Sequence, residues 1–225
     1  MHSGHGAAMP SESPVNVYID GFNFYYAIHH TSNRDVGRLK RAWCNFAKLA
    51  ELLVGKAFPN ERVGAVKYFT APVRDLEQRP EEGRRQELWL QALEAGSGGR
   101  VRIIRGFHAK EGAKPRVEKQ TDVNIAISIV RDSVMAPAAS RSGAYARDPF
   151  SPCRGVVLVS ADRDLVPALR MVDHYGVRPV RFRPGFEITD DDLWACLLPD
   201  TIERKHGPAV TWREYAFLKS GWDRW

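Results

Sequence analysis

The sequence predicts an α/β fold built on a parallel sheet of about five strands. Three observations carry this. Short β-rich runs alternate with segments of helical periodicity along most of the 225 residues, the pattern of strand–helix–strand units joined by right-handed crossovers. Val156-Val157-Leu158-Val159 is an uninterrupted apolar run, as a strand covered on both faces requires. Hydrophobic residues are 44% and charged residues 27% of the chain, enough apolar material for one core and too much for a disordered polymer.

The elements follow in order. Val15–Ile19 is β-rich and ends at Asp20-Gly21, a buried first strand opening into a turn. Phe22–His30 reads as a helix. Leu39, Trp43, Phe46, Leu49, Ala50 and Leu53 recur at helical spacing and predict a second amphipathic helix closed by Gly55. Val63–Thr70 is the second strand. Glu81–Ala95 is a charged helix stopped by Gly96-Ser97-Gly98-Gly99. Arg100–Gly106 is the third strand. Asp122–Val134 carries apolar residues on several faces, which predicts a well-buried helix. Residues 135–154, rich in Pro, Ser, Gly and Ala, form the longest segment without periodicity. Val156–Val159 is the fourth strand, Leu165–Tyr175 a helix ended by Gly176, and Val177–Phe182 the fifth strand. Short helices are expected near Asp191–Leu197 and Thr211–Leu218. The domain is read as 15–185, with 1–14 a disordered leader and 186–225 an extension packed on it.

The three cysteines, Cys44, Cys153 and Cys196, form no C-x-x-C pair, so neither a zinc knuckle nor a disulfide framework is suggested. Residues 1–14 have no apolar run, so they are not a secretory signal. No stretch reaches the ~18 apolar residues of a membrane span. The expectation is a soluble, cytoplasmic protein with reduced thiols and no membrane partner. The formal net charge is +6. Residues 100–119 hold seven Lys/Arg against two acids, nearly the whole excess, directly before Asp122. Such a basic stretch suits attraction of a polyanion.

Carboxylates recur where a parallel sheet binds its ligands, outside the carboxyl ends of the strands. Asp20 follows the first strand, Asp162 and Asp164 follow the fourth, and Asp122 opens the buried helix. Singly, each also reads as a turn or helix cap. Together they would repel one another unless protonated or shared by a cation. A hard divalent ion with oxygen ligands answers that repulsion and suits phosphoryl chemistry.

Three separated pieces then resemble the NYN domains of the PIN-like nuclease superfamily. They are Tyr18-Ile19-Asp20-Gly21-Phe22-Asn23-Phe24-Tyr25, Glu118-Lys119-Gln120-Thr121-Asp122-Val123-Asn124-Ile125-Ala126, and Leu158-Val159-Ser160-Ala161-Asp162-Arg163-Asp164-Leu165-Val166-Pro167. Gly106-Phe107-His108 also fits. The resemblance covers about Val15–Phe182. It implies a three-layer α/β/α, Rossmann-like (PIN-like) fold and Mg²⁺- or Mn²⁺-dependent ribonuclease activity on RNA. It implies Asp20, Asp122 and Asp162 as catalytic acids that hold the metal, with Asp164 a further acid. Asn23 and Ser160 would orient substrate or ligand waters. The chain departs from the pattern at Ala161, often Gly, and at Gln120-Thr121, where Gly-Val is common; neither change removes a carboxylate. Residues 135–154 resemble an insertion.

Lys119 is a candidate phosphate contact, and Arg100, Arg102 and Arg105 recur along one strand as a candidate basic face for an RNA backbone. Tyr25, Tyr26 and Phe107 are candidates for base stacking or for core packing. Arg163 either contacts substrate or pairs with an acid. Trp194, Trp212, Trp222 and Trp225 crowd the last residues, where a homodimer or protein partner would find an interface, although packing is expected for Trp194 and Trp212. Asp190-Asp191-Asp192 reads as a helix N-terminus. The alternative to an enzyme is an RNA- or protein-binding PIN-like module without cleavage. A haloacid-dehalogenase phosphatase is disfavoured because Gly21-Phe22 follows Asp20 where Asp-x-Asp is wanted. A dinucleotide-binding enzyme is disfavoured because no G-x-G-x-x-G follows the first strand and no P-loop exists.

Overall fold

β1 (Val15–Asp20) is buried along its whole length and lies at the centre of a five-stranded sheet. The computed structural model describes residues 14–30, 44–72, 80–109, 117–134, 148–196, 201–204 and 207–211. After β1 come α1 (Gly21–His30), α2 (Phe46–Ala57), β2 (Val63–Thr70), α3 (Pro80–Gly96) and β3 (Val101–Arg105). A short hairpin, β4 (Phe107–Ala109) and β5 (Val117–Lys119), leads to α4 (Thr121–Val134). β6 (Gly155–Val159), α5 (Val166–His174), β7 (Arg178–Phe182) and α6 (Asp190–Ala195) complete the main body, followed by a hairpin of β8 (Thr201–Arg204) and β9 (Gly207–Thr211). The sheet order is β3-β2-β1-β6-β7 and every pairing in it is parallel. The expected α/β architecture with about five strands is the observed one.

Alternation along the strands builds the two outer layers. Val15, Val17 and Ile19 of β1 share a core with Val66 and Tyr68, with Phe46, Leu49 and Leu53 of α2, and with Leu90 and Leu93 of α3. Tyr18, Phe69, Ile104, Val156 and Leu158 point the other way, into a core with Ile125 and Ile129 of α4 and Leu169 and Val172 of α5. The result is a three-layer α/β/α sandwich.

Several details differ from the sequence reading. α2 starts at Phe46 because Asn45 caps it, accepting from Ala47 N (3.0 Å) and Lys48 N (3.2 Å); such a cap is worth about 1 kcal/mol. Leu39 and Trp43 lie outside the described residues, and the helix runs through Gly55. The β4–β5 hairpin was not anticipated; its strands have three residues each, too few for a period to show. α4 is buried on one face only: Ile125, Ser128, Ile129 and Asp132 are inside, while Val123 and Ile127 are exposed. Trp194 is 41% exposed rather than packed away. Asp190–Asp192 do open a helix, through a capping box between Thr189 and Asp192. Thr211 ends a strand rather than starting a helix, and 1–13 and 212–225 lie outside the described residues. Ile188, Leu193 and Cys196 join the core, and Asn45 N donates to Cys196 O at 2.5 Å. All three cysteines are free and buried. No described helix is long and apolar enough to cross a membrane.

The segment before β6 is anchored by charge. Lys67 of β2 is fully buried and its Nζ reaches Asp132 Oδ2 (2.5 Å) and Asp148 Oδ1 (2.6 Å). Arg131 pairs with both acids (2.9 and 3.0 Å), Tyr18 donates to Asp132 (3.0 Å), and Ser128 donates to Asp148. Burial alone would raise the Asp148 carboxyl, but Lys67, Ser128 and Arg131 outweigh it and hold it below its ordinary range. A buried cation needs such partners, and this need ties Asp148 to the sheet without regular secondary structure.

Candidate functional site

The strand order reverses at β1. The chain proceeds outward from β1 to β2 and β3, then returns to β6 and β7 on its other side. The crevice beyond the carboxyl ends of β1 and β6 is therefore the topological switch point, where open α/β sheets bind ligands. Asp20 is the last residue of β1, and Ser160-Ala161-Asp162 follow β6 directly.

Asp20 is 4% exposed and both of its oxygens are held. Oδ1 accepts from the Asn23 backbone N–H (3.0 Å), and Oδ2 accepts from the Ser160 hydroxyl (2.8 Å). Gly21 permits this placement, because a Cβ there would lie 2.5 Å from Phe69 O and from the Tyr68 ring. The Asn23 side chain accepts from Ala161 N (2.8 Å), bracing α1 against the loop after β6. Ser160 Oγ also accepts from Asp162 N (3.0 Å), and Asp162 Oδ1 from Asp164 N (2.9 Å). Asn23 and Ser160 thus hold the acids themselves in place.

Asp20, Asp122 and Asp162 line one cleft of about 450 Å³, together with Phe22, Asn23, Tyr26, Ala27, Ala161, Pro184 and Phe186. Burial raises the Asp20 carboxyl to about 6; the Asn23 amide and Ser160 hydroxyl oppose the rise, and the charges of Asp122 and Asp162 add to it. Asp122 is raised as well, by burial and then by Asp162 and Asp164. Asp164 is exposed and does not line the cleft, yet its charge bears on Asp122. Just before Asp122, Gln120 takes φ 76°, the left-handed region that favours glycine. Its carbonyl accepts from Asn124 N (2.7 Å) and so starts α4.

In its chemistry, though not in its spacing, the donor set suits a hard cation. It is all oxygen, its members repel one another, and Asp20 keeps lone pairs beyond the two already engaged. Among the described residues no three His, Cys, Asp or Glu side chains stand close enough together to hold a metal ion between them. The aspartates instead ring the cleft, an arrangement suited to an ion that keeps several waters.

Arg100, Arg102 and Arg105 do not line this cleft. Arg102 lies at the opposite end of the sheet, in a second cleft of about 450 Å³ lined also by Arg62 and Arg100. Arg100 pairs with Glu51, and Arg102 donates to Ser151 Oγ (2.8 Å). Arg105 is at the carboxyl end of β3 but is gripped by Glu87 of α3 (2.7 and 3.1 Å). Nor do the three share a face. A two-residue period puts Arg102 with Lys67 and Ile104 on the α4 side and Arg105 on the α3 side. The side chains of Lys119 and Phe107 lie outside the described part. Arg163 is exposed, while Arg181 of β7, not anticipated, donates to Asp162 O (3.4 Å). Phe22 and Phe186 were also missed as cleft residues. For Phe186 no sequence signal existed, since it lies beyond the last predicted strand.

No protein-family model matches the chain. It is 24% identical to 6-hydroxy-3-succinoylpyridine 3-monooxygenase HspA of Pseudomonas putida (strain DSM 28022 / S16), over 70% of this chain and 55% of that protein. The chain thus spans about half the length of that curated relative. Among solved structures it is similar to a protein of unknown function from Vibrio parahaemolyticus RIMD 2210633, at 14% identity and a TM-score of 0.47, covering 84% of this chain and 92% of that one.

Proposed function

We propose that the chain is a ribonuclease of the NYN type that depends on Mg²⁺ or Mn²⁺ and hydrolyses RNA phosphodiester bonds at the β1–β6 crevice. The observation that carries this reading is Asp20, buried at the switch point and facing Asp122 and Asp162 across one cleft. Asp20, Asp122 and Asp162 would hold the cation, which when bound supplies Lewis-acid stabilisation of a phosphoryl transition state. Ser160 and the Asn23 amide fix the plane of the Asp20 carboxylate. Asn23 ties α1 to the loop that carries Asp162. Asp164 keeps that loop turned, and its charge adds to the negative field at Asp122.

The test is incubation with labelled single- and double-stranded RNA and DNA in Mn²⁺, Mg²⁺ or EDTA, with Asp20→Asn alongside. Metal-dependent RNA cleavage lost in the variant is expected. Binding without cleavage under any metal would turn the reading to a binding module. A second reading is favoured by the distant relative, whose name is that of a monooxygenase. Phe22, Tyr26 and Phe186 would then flank a small heteroaromatic substrate. Oxygen uptake with a hydroxypyridine and a reductant, but no cleavage of RNA, would favour it.

A further inference from the structure

Phe186 stands in the turn after β7 and is 72% exposed. The turn that carries it is tightly closed. Phe186 N and Glu187 N both donate to Arg183 O (3.1 and 3.0 Å), Pro184 bridges to Ile188, and Gly185 takes φ 78°. Arg183 Nε donates to Glu187 Oε1 (2.7 Å), and its guanidinium lies 5.2 Å from the Phe186 ring centroid. From a separate element, Phe22 and Tyr26 lie one helical turn apart on α1 and stack at 6.4 Å with an interplanar angle of 23°. Tyr26 is 45% exposed. These rings line the same cleft as the three aspartates.

We infer that Tyr26 and Phe186 form a stacking site for an unpaired nucleobase of the nucleic acid held at the aspartate cleft. This rests on the ribonuclease reading. Planar rings held open to solvent on braced backbone are suited to stacking, which tolerates any base because every base has a π-face. In a duplex the bases already stack on one another, and withdrawing one is unfavourable. A protein partner covering these rings would also have to cover Asp122 and Asp162 beside the already buried Asp20, carboxylates that repel one another. A nucleotide instead brings its base to the rings and its phosphate, with the cation, to the acids. Arg183 beside Phe186 adds a positive charge at the rim.

The test is binding of a short labelled single-stranded RNA in EDTA, read by fluorescence anisotropy, for the wild type, Phe186→Ala, Phe186→Trp and Tyr26→Ala. Each alanine variant is expected to weaken binding about 5- to 100-fold, while the tryptophan variant retains it. Duplex binding should not change. In the cleavage assay, KM should rise while kcat stays. Unchanged affinity in both alanine variants, or an equal loss for duplex, overturns the inference. If RNA is bound through these rings but never cut, the ribonuclease reading fails and the stacking site stands. If RNA is cut and Phe186→Ala leaves KM unchanged, the stacking site fails and the ribonuclease reading stands. A wild type that binds no nucleic acid overturns both.

Discussion

Replacing Asp20 by Asn should abolish cleavage yet make the protein more stable at neutral pH without metal. In the folded chain the Asp20 carboxyl has its pKa raised from 3.8 to about 6. The native state therefore holds a proton that the unfolded chain releases near 3.8. Stability from protonated Asp20 is fully present below pH 3.8 and is lost as pH rises through 6. At 1.36 kcal/mol per tenfold change in proton affinity, the loss is about 3 kcal/mol by pH 7.5. The asparagine side chain of the variant does not ionise. It still accepts from Asn23 N, and its amide can donate to Ser160 Oγ, so any cost of the swap is small and independent of pH. For a chain of this size each kcal/mol moves Tm by about 2–4 °C. Part of this is already lost at pH 4, so in EDTA the variant should gain about 5–10 °C on the wild type between pH 4 and pH 7.5, measured by scanning calorimetry. Added Mn²⁺ or Mg²⁺ at pH 7.5 should close the gap by stabilising the wild type alone. A difference in Tm that does not vary with pH would refute the buried, crowded carboxylate on which the site rests.

Asp122→Asn removes one of the charges that push Asp20 up, so the Asp20 pKa should fall, as read by carboxyl-carbon NMR titration; an unmoved value would mean that the two acids do not share the cleft. Lys67→Met strips Asp132 and Asp148 of a buried partner and should destabilise by about 3–5 kcal/mol in urea melts. Pairing it with Asp132→Leu should recover part of this loss, and a strictly additive pair would show that the cluster is not coupled. Gln120→Gly relieves a left-handed residue and should stabilise by about 1 kcal/mol with activity intact; destabilisation would mean that the Gln120 side chain supports the start of α4.

Much of the fold was legible in the residues. Burial of Val156–Val159 on both faces forces an apolar run, and the run announces a central strand. Asp-Gly after β1 reads equally as a turn and as a site, and the structure makes it both: Asp20 caps the start of α1 through Asn23 N and also faces the cleft. The unusual Gln120-Thr121 pair marks the place where φ turns positive. The three arginines do not form one face because Arg102 and Arg105 differ in strand parity and Arg100 precedes β3, and because composition places charges along the chain but not at one end of a sheet. Glu51, Glu87 and Ser151, remote in sequence, are what engage these arginines. The proximity of Asn45 to Cys196 and the Lys67 cluster were likewise invisible, since a long-range contact leaves no local period.

By itself the sequence determined the alternation of strands and helices, the two-faced apolar strands and the positions of four acids at strand or helix ends. These are consequences of local periodicity and of the burial each element needs. Only the tertiary structure decided the strand order β3-β2-β1-β6-β7, and with it that Asp20, Asp122 and Asp162 line one cleft. It alone sent the arginines elsewhere and set Phe186 beside the acids. Those outcomes depend on which strands pair and which way each pleat faces, and pairing is a property of residues far apart in the chain.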